Sequence, residues 1–167
     1  MTIAINGSGT ITGISAGGLP DAVITQPELA AGVAGTGPAF SAYQSTLQSL
    51  SGSAYTKVQF QTEIFDTNSN FDNATNYRFT PTVAGYYIVT GQIYSVNGAT
   101  SYQAAIYKNG TAIQYGGYTL QISNTTGLVY LNGSTDYVEF YAFASLTGNS
   151  STGQTNTYFQ ASLVRAA

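Results

Sequence analysis

Residues 127–146, GLVYLNGSTDYVEFYAFASL, contain two apolar stretches joined by the turn signal Asn132-Gly133. Glycine adopts the positive φ angles that tight hairpin turns need, so this dipeptide predicts a β-hairpin. A strand with one face in water alternates apolar and polar residues. The second arm instead carries bulky or apolar side chains at nearly every position. We therefore expect a strand that is buried on both faces, and something must cover its second face.

The composition of the 167-residue chain excludes several classes of protein. Only 7% of the residues are charged, against about 25% in typical globular domains. The net charge of −3 offers no basic surface for nucleic acid. Low net charge with 43% hydrophobic residues indicates a folded chain. No apolar run is long enough to span a bilayer, and the N-terminal sequence is too polar for a secretory signal.

The chain contains neither cysteine, histidine nor tryptophan. Disulfides, the usual zinc ligand sets and Ser-His or Cys-His nucleophiles are therefore excluded. Asp136 and Glu139 are close in sequence, as are Glu63 and Asp66. However, residues three apart on a strand point to opposite faces, so neither pair forms the two-carboxylate site of a glycosidase. We predict that the protein is not an enzyme.

The composition changes near residues 35–38, which suggests two parts. Residues 1–36 are rich in glycine and small side chains and predict an extended attachment arm, with a short strand and a short helix over residues 26–33. The rest, residues 37–167, predicts about eight to ten short strands and no convincing helix, the pattern of an all-β sandwich or barrel.

The best alternation within this second part spans residues 57–64, and it places four side chains on one face of a predicted strand: Val58, Phe60, Thr62 and Ile64. Asn97-Gly98 and Asn109-Gly110 predict turns, and Gly116-Gly117 predicts a bulge or bend.

Several motifs follow one another in the order found in a known family. They are GPAFSAY (37–43), VQFQTEIFDTNSNFD (58–72), YRFTPTVAGYYIV (77–89), AAIYKNG (104–110), GLVYLNGSTDYVEF (127–140) and YFQASLV (158–164). This series resembles the C1q/TNF-like jelly-roll domain. It departs from the family pattern at Thr135, which precedes Asp136, and at Gln160-Ala161, and a collagen stalk is missing. The resemblance implies a ten-stranded, homotrimeric jelly-roll sandwich over residues 37–167.

The implied trimer offers one answer to the covering of the 127–146 hairpin. Four side chains are expected inside the sandwich: Val138, Phe140, Ala142 and Ala144. Four others are candidates for the trimer interface, where they meet sister chains around a three-fold axis: Tyr137, Glu139, Tyr141 and Phe143. The alternative is that both faces are buried within one chain, with a loop over the second face.

The N-terminal sequence GTITGISAGGLPDAVITQPELA (9–30) resembles segments of phage tail fibres. Together the two resemblances imply a non-enzymatic, extracellular virion protein: a trimeric tail-fibre tip or receptor-binding module. Its expected partners are other virion proteins, through residues 1–36, and a glycan or protein of the host surface. The alternatives are a capsid decoration or cement protein and a bacterial surface C1q-like protein.

Aromatic rings among amides and hydroxyls suit sugar binding. The candidates for receptor contact in the predicted loop tips are Tyr94, Tyr102, Tyr115, Tyr118, Asn149 and Asn156. The alternative for any single tyrosine is a place in the core or in the trimer interface.

We expect no cofactor, with calcium as a weak alternative at four alternating oxygen donors: Asp66, Asn68, Asn70 and Asp72. Phe71 and Tyr77 stand where a calcium loop needs glycine and glutamate, so these side chains are expected to cap their own turns instead.

Overall fold

The computed structural model of the chain describes residues 37–97 and 101–167. The predicted arm, residues 1–36, lies outside the described residues, as does Gly98 of the predicted turn. The described ranges contain thirteen strands and no helix. The strands are β1 (Ala39–Tyr43), β2 (Ser49–Leu50), β3 (Ala54–Lys57), β4 (Thr62–Asp66), β5 (Phe71–Asp72), β6 (Arg78–Phe79), β7 (Ala84–Asn97), β8 (Tyr102–Lys108), β9 (Thr111–Tyr115), β10 (Ile122–Asn132), β11 (Val138–Ala144), β12 (Gly148–Ser150) and β13 (Tyr158–Ala166).

Twelve of the thirteen strands, all except β3, form two antiparallel sheets, which confirms the all-β prediction. The larger sheet has seven strands in the order β2-β12-β7-β13-β1-β4, with β10 paired to the other side of β7. The smaller sheet has five strands in the order β5-β6-β11-β8-β9. Within the described ranges no helix is long and apolar enough to cross a membrane.

The core between the sheets is built on phenylalanine rings. Phe40 of β1 stacks on Phe71 with 4.4 Å between the ring centroids, and Phe159 of β13 lies 5.7 Å from Phe140 of β11. All four rings are buried. A Cβ added to Gly91 would lie 2.5 Å from the Phe140 ring, so the two sheets approach closely because β7 has no side chain at this point.

The predicted turns are confirmed where the structure describes them. Asn109 and Gly110 have φ angles of 50° and 79°, and Gly133 has a φ of 71°. A Cβ on Gly133 would also lie 2.3 Å from the backbone nitrogen of Ala84, so glycine is required there twice over. Gly116 lies in the connection between β9 and β10.

The predicted alternation over residues 57–64 is wrong in its second half. Val58 and Phe60 are buried as expected. However, residues 58–61 only connect β3 to β4, and Ile64 is 51% exposed. The pairing of β4 with β1 shifts register beside Ile64, and this bulge breaks the two-residue period.

Candidate assembly and binding surfaces

The second face of β11 is covered by the chain itself. Residues 53–58 run along the edge of β11, where Ser53 N donates to Ala144 O at 2.7 Å and Val58 N donates to Phe140 O at 2.9 Å. The Tyr55 ring then reaches over the outer face of the smaller sheet and lies 5.4 Å from the Phe143 ring.

The outward side chains of β11 find further partners within the same chain. Tyr141 stacks on Tyr107 at 4.0 Å between centroids, and the Arg78 guanidinium lies 4.4 Å from the centre of the Tyr137 ring. Burial, with the neighbouring Glu139 carboxylate, raises the pKa of Tyr141 to about 12.

Lys57 and Glu139 form the ionic part of this cover. The Lys57 ammonium lies 2.5 Å from the Glu139 carboxylate, and the side chains are 34% and 5% exposed, respectively. Lys57 Nζ also donates to the carbonyl oxygen of Asn76 at 3.3 Å. A carboxylate this deeply buried needs a charged partner, and the residue that supplies it lies 82 positions earlier in the chain.

These contacts correct the reason for the predicted trimer interface. The inward set, Val138, Phe140, Ala142 and Ala144, is fully buried as expected. The prediction that Tyr137, Glu139, Tyr141 and Phe143 meet sister chains assumed an uncovered second face. The chain covers part of this face itself, and contact of these residues with sister chains stays a prediction. The alternative, burial under a segment of the same chain, describes the observed arrangement.

The larger sheet has an outer face that no described residue covers. We call this surface the open face; it comprises the outward side chains of β1, β4, β7, β10 and β13. Its large apolar members are between 43% and 66% exposed: Phe65, Tyr86, Ile88, Ile122, Leu128 and Tyr130. Strand pairing places Leu128 beside Ile88 and Tyr130 beside Tyr86, and the two tyrosine rings lie 5.5 Å apart.

The open face is nearly free of charge. In its five strands the charged residues are Arg165 of β13 and two residues of the edge strand β4, Glu63 and Asp66. Two cavities open on this face on either side of Gln160. One of about 230 Å³ includes Phe65 and Ile88 in its lining, and one of about 380 Å³ includes Ile64 and Tyr158. Scattered apolar side chains are ordinary on a protein surface, but adjoining rows of them indicate an interaction site.

Sequence reasoning missed the open face, although a signal was present. In β10 the apolar residues Ile122, Leu128 and Tyr130 share one face, while Val129 and Leu131 fill the other. The second half of this strand, residues 128–131, is therefore as doubly apolar as β11. The periodicity alone did not distinguish the strand that the chain covers from the strand that it leaves open.

The predicted receptor-contact residues differ in how far the structure exposes their side chains. Tyr115 and Tyr118 are 50% and 62% exposed. Tyr102 is only 1% exposed, so the prediction that it contacts a receptor is wrong: it begins β8, a strand that is buried on both faces. Three others are half-buried: Tyr94, Asn149 and Asn156. Asn156 Nδ2 donates to Thr152 O at 2.9 Å and so folds its own loop.

Tyr115 and Tyr118 belong to a group of four rings on the smaller sheet. We call the group Tyr55, Tyr115, Tyr118 and Phe143 the tyrosine shelf. The Tyr115 ring lies 5.7 Å from that of Tyr55, and the Tyr118 ring stands edge-on to Phe143 at 5.8 Å. The Tyr55 hydroxyl donates to the Gln103 amide oxygen and also hydrogen-bonds Tyr118. Burial and these neighbouring hydroxyls raise the pKa of Tyr55 to about 12.

The loop that carries Tyr118 is fixed by hydrogen bonds at both of its ends. Gly116 N donates to Ala104 O at 2.8 Å, and the backbones of Tyr102 and Thr119 exchange two bonds of 2.7 and 2.9 Å. Ser123 Oγ donates to Gly117 O at 2.9 Å. A Cβ on Gly116 would lie 2.2 Å from the carbonyl oxygen of Asn124, so the loop also packs tightly on β10.

Three of the four candidate calcium ligands, Asp66, Asn70 and Asp72, bond backbone groups near them, and the Asn68 amide oxygen accepts from the Thr67 hydroxyl. Asp66 accepts hydrogen bonds from the backbone nitrogens of Asn68 and Phe71. Asp72 accepts from the backbone nitrogens at 74, 75 and 76 and from the Asn76 amide. The Thr75 N–H, followed by these other donors, holds the pKa of Asp72 at about 2 despite some burial. Asn70 uses its amide group to bond Asn68 O and Thr82 N.

These carboxylate oxygens are therefore occupied by donors of their own loop. No group of three or more acidic side chains able to hold a metal ion occurs in the part of the chain that the structure describes. Burial, with the nearby Asp66 carboxylate, raises the pKa of Glu63. Glu63 lies on the edge strand β4.

Comparison with known proteins bears on the fold. Among solved structures, the globular domain of zebrafish complement 1qA matches with a TM-score of 0.59, over 78% of this chain and 99% of that chain. The chain has a C1q/TNF-like jelly-roll fold. Its sequence is only 16% identical to that domain.

Two further structures agree with this fold. Eiger TNF from S. frugiperda matches with a TM-score of 0.61 and 12% identity, over 77% of this chain and 93% of that one. Murine APRIL matches with a TM-score of 0.58 and 10% identity, over 74% and 96%. No family model matches the sequence, and no curated protein matches it.

Proposed function

We propose that the protein is a non-enzymatic adhesive module that assembles as a homotrimer through the open face. One observation carries this proposal: the larger sheet exposes adjoining rows of apolar side chains, whereas residues 53–58 cover the outer face of β11 in the smaller sheet. A folded chain that covers one apolar face and leaves the other open needs a second molecule to remove the open one from water.

A second copy of the same chain suits the open face better than a charged partner. The face presents almost no charge with which to select a foreign protein. It also differs from one side to the other. Leu128 and Tyr130 project along the β10 side, and the cavity beside Ile64 opens along the β4 side. Joining projections of one copy to hollows of the next is a heterologous contact, which a rotation closes into a ring.

The C1q/TNF-like fold supports this arrangement, because the family resemblance implies a homotrimer. We further propose that the trimer is a virion tail-fibre tip or receptor-binding module that contacts the host surface. The support for this step is the sequence of residues 1–36, with its likeness to tail-fibre segments. The arm then joins other virion proteins, and the jelly roll faces outward.

The distribution of charge along the sandwich fits such a tip. Pairing of Ala39 with Ser162 places residue 37 at the end where β7 begins, close to the charged hairpin residues Lys108 and Asp136. The opposite end carries the 116–121 and 145–147 connections, which contain no charged residue. These two connections lie at the end of the sandwich that is remote from residue 37, and this is the end that we propose faces the host.

Two measurements on the full chain test this proposal. Light scattering should give the mass of three chains, and a stable single chain at micromolar concentration would refute the assembly. Labelled protein should bind intact host bacteria. Binding to emptied capsids without binding to cells would refute the adhesive role and favour a capsid decoration protein.

A further inference from the structure

The tyrosine shelf exposes two large rings on the same sheet face that residues 53–58 cover at β11. Tyr118 is 62% exposed and Tyr115 is 50% exposed, directly above the better-covered Tyr55 and Phe143. The loop between them is not loosely placed, because hydrogen bonds fix it to β8 and β10. The loop thus holds the rings outward in one arrangement. Binding of a partner therefore costs little conformational entropy in these two side chains.

The shelf also lies on the side of the sandwich away from the open face. Tyr55, Tyr115 and Phe143 lie on the outer face of the smaller sheet, and the core separates them from β7 and β10. Assembly through the open face therefore leaves the shelf accessible on every copy.

The chemistry of the shelf is aromatic, polar and uncharged. Residues 109–135, which supply Tyr115 and Tyr118, contain no charged side chain, and neither do residues 140–164, which supply Phe143. The nearest charges, Lys57 and Glu139, neutralise each other at 2.5 Å. Acidic peptides, anionic sugars and lipid headgroups are attracted by unpaired Lys and Arg, which these segments lack.

We propose that the tyrosine shelf binds a neutral carbohydrate, with the rings of Tyr115 and Tyr118 against pyranose faces. Sugar rings present C–H groups on their faces and hydroxyls at their edges. Tyrosine matches both, since its ring is apolar and its hydroxyl both donates and accepts. This inference deepens the proposed function and rests on it for the biological setting only: a trimer would carry three shelves, and the second and third contacts would be intramolecular.

The test uses the full chain and four variants. Probes are immobilised neutral oligosaccharides of glucose, galactose, mannose and N-acetylglucosamine, a matched sialylated set, and phosphatidylcholine vesicles. The best neutral probe is then titrated as free oligosaccharide and followed by saturation-transfer NMR. Two variants, Tyr118→Ala and Tyr115→Ala, remove a shelf ring, and Tyr118→Phe keeps the ring. Ile113→Ala is the matched control, because Ile113 is 43% exposed on β9, the strand that carries Tyr115, and is not one of the four rings of the shelf.

We expect binding to at least one neutral oligosaccharide. Loss of one stacked ring should weaken it about 3- to 10-fold, as aromatic contacts do elsewhere. Tyr118→Phe should change the affinity less than about 2-fold, because the stacking face remains. Ile113→Ala should have no effect. Failure of every neutral probe, binding to the sialylated probes or vesicles alone, or unchanged affinity in both alanine variants would overturn the proposal.

Light scattering on the same samples keeps the two proposals separate. The shelf variants should retain the mass of the unaltered protein. If the unaltered protein proves to be a single chain but shows Tyr118-dependent glycan binding, the assembly fails and the shelf stands. If three chains assemble without glycan binding, the shelf fails and the assembly stands.

Discussion

Replacing Leu128 by glutamate should separate the copies without unfolding them. Leu128 is 66% exposed in the single chain and lies beside Ile88 on β10, the strand at one side of the open face. Its side chain contributes little to the core, so a glutamate there meets water in an isolated chain. Within the proposed ring the same position becomes an interface. The strands β7, β10 and β1 contain no basic residue, and Lys108, whose ammonium lies 5.7 Å from the centre of the Tyr130 ring, is already paired with Asp136.

The size of the effect follows from the exposure of Leu128. Complete burial of a leucine is worth about 1.5–3 kcal/mol, and the two-thirds still exposed in the chain makes roughly 1–2 kcal/mol available to an interface. An unpaired buried carboxylate costs a further several kcal/mol. Together each interface loses roughly 4–6 kcal/mol, which weakens association by about 10³- to 10⁴-fold. Every contact of a closed ring contains the substitution once.

Light scattering coupled to gel filtration measures the outcome. We expect three chains for the unaltered protein and one for Leu128→Glu at micromolar concentration, with the same far-ultraviolet circular dichroism spectrum. Leu146→Glu is the matched control, because Leu146 is 55% exposed in the connection that follows β11 and lies off the open face. A Leu128→Glu protein that keeps the mass of three chains would refute the reasoning, as would equal dissociation of the Leu146→Glu control.

Three further predictions concern the single chain and are measured by urea unfolding. Gly91→Ala should destabilise the chain by about 1–3 kcal/mol, because the new Cβ would lie 2.5 Å from the Phe140 ring. The control Gly117→Ala has open space around its Cβ and should change stability by less than about 1 kcal/mol. Equal effects of the two substitutions would contradict this packing argument. Lys57→Met should cost about 3–5 kcal/mol of stability, because it leaves the buried Glu139 carboxylate unpaired. Glu139→Gln should cost only about 1–2 kcal/mol, since Lys57 is 34% exposed and its ammonium can turn to water. The reverse order of the two effects would show that the pair is not buried as described. Asp72→Asn should cost about 1–2 kcal/mol at pH 7. The folded pKa of Asp72, about 2, lies below the unfolded value of about 3.9, so the stabilisation by the ionised carboxylate is complete above pH 4 and disappears as the pH falls toward 2. A stability difference between the two proteins that persists at pH 2 would contradict this prediction.

The sequence predicts those features whose signals lie close together in the chain. Val138 and Phe140 alternate with outward residues over one short strand, and their burial follows from that period. The turns at Asn109-Gly110 and Gly133 follow from the φ angles that glycine and asparagine adopt. The acidic loop is of the same kind, since Asp72 caps backbone nitrogens within four residues of itself.

The sequence does not reveal which apolar strand has a cover. Both β10 and β11 are apolar on two faces. What distinguishes them is a segment far away in sequence: residues 53–58 bring Tyr55 and Lys57 over β11, and no described residue does the same for β10. Such pairing depends on the route of the whole chain, which local periodicity does not contain. The burial of Tyr102 depends on distant segments in the same way. Its strand, β8, lies between β11 and β9 in the sheet, and Tyr102 also pairs with Thr119 of the 116–121 loop.

The position of β13 has a consequence for synthesis on the ribosome. This strand, Tyr158–Ala166, lies between β7 and β1 and pairs with both, so Ala39 has no neighbour on that side until Ser162 has been made. When the nascent chain has emerged only as far as β12, the strand that lies between β1 and β7 is still missing. The edges of β1 and β7 that pair with β13 are then exposed. Such edges promote aggregation. We expect the larger sheet to close only after residue 166 leaves the exit tunnel, and the cell must keep many unfinished chains from meeting one another until then.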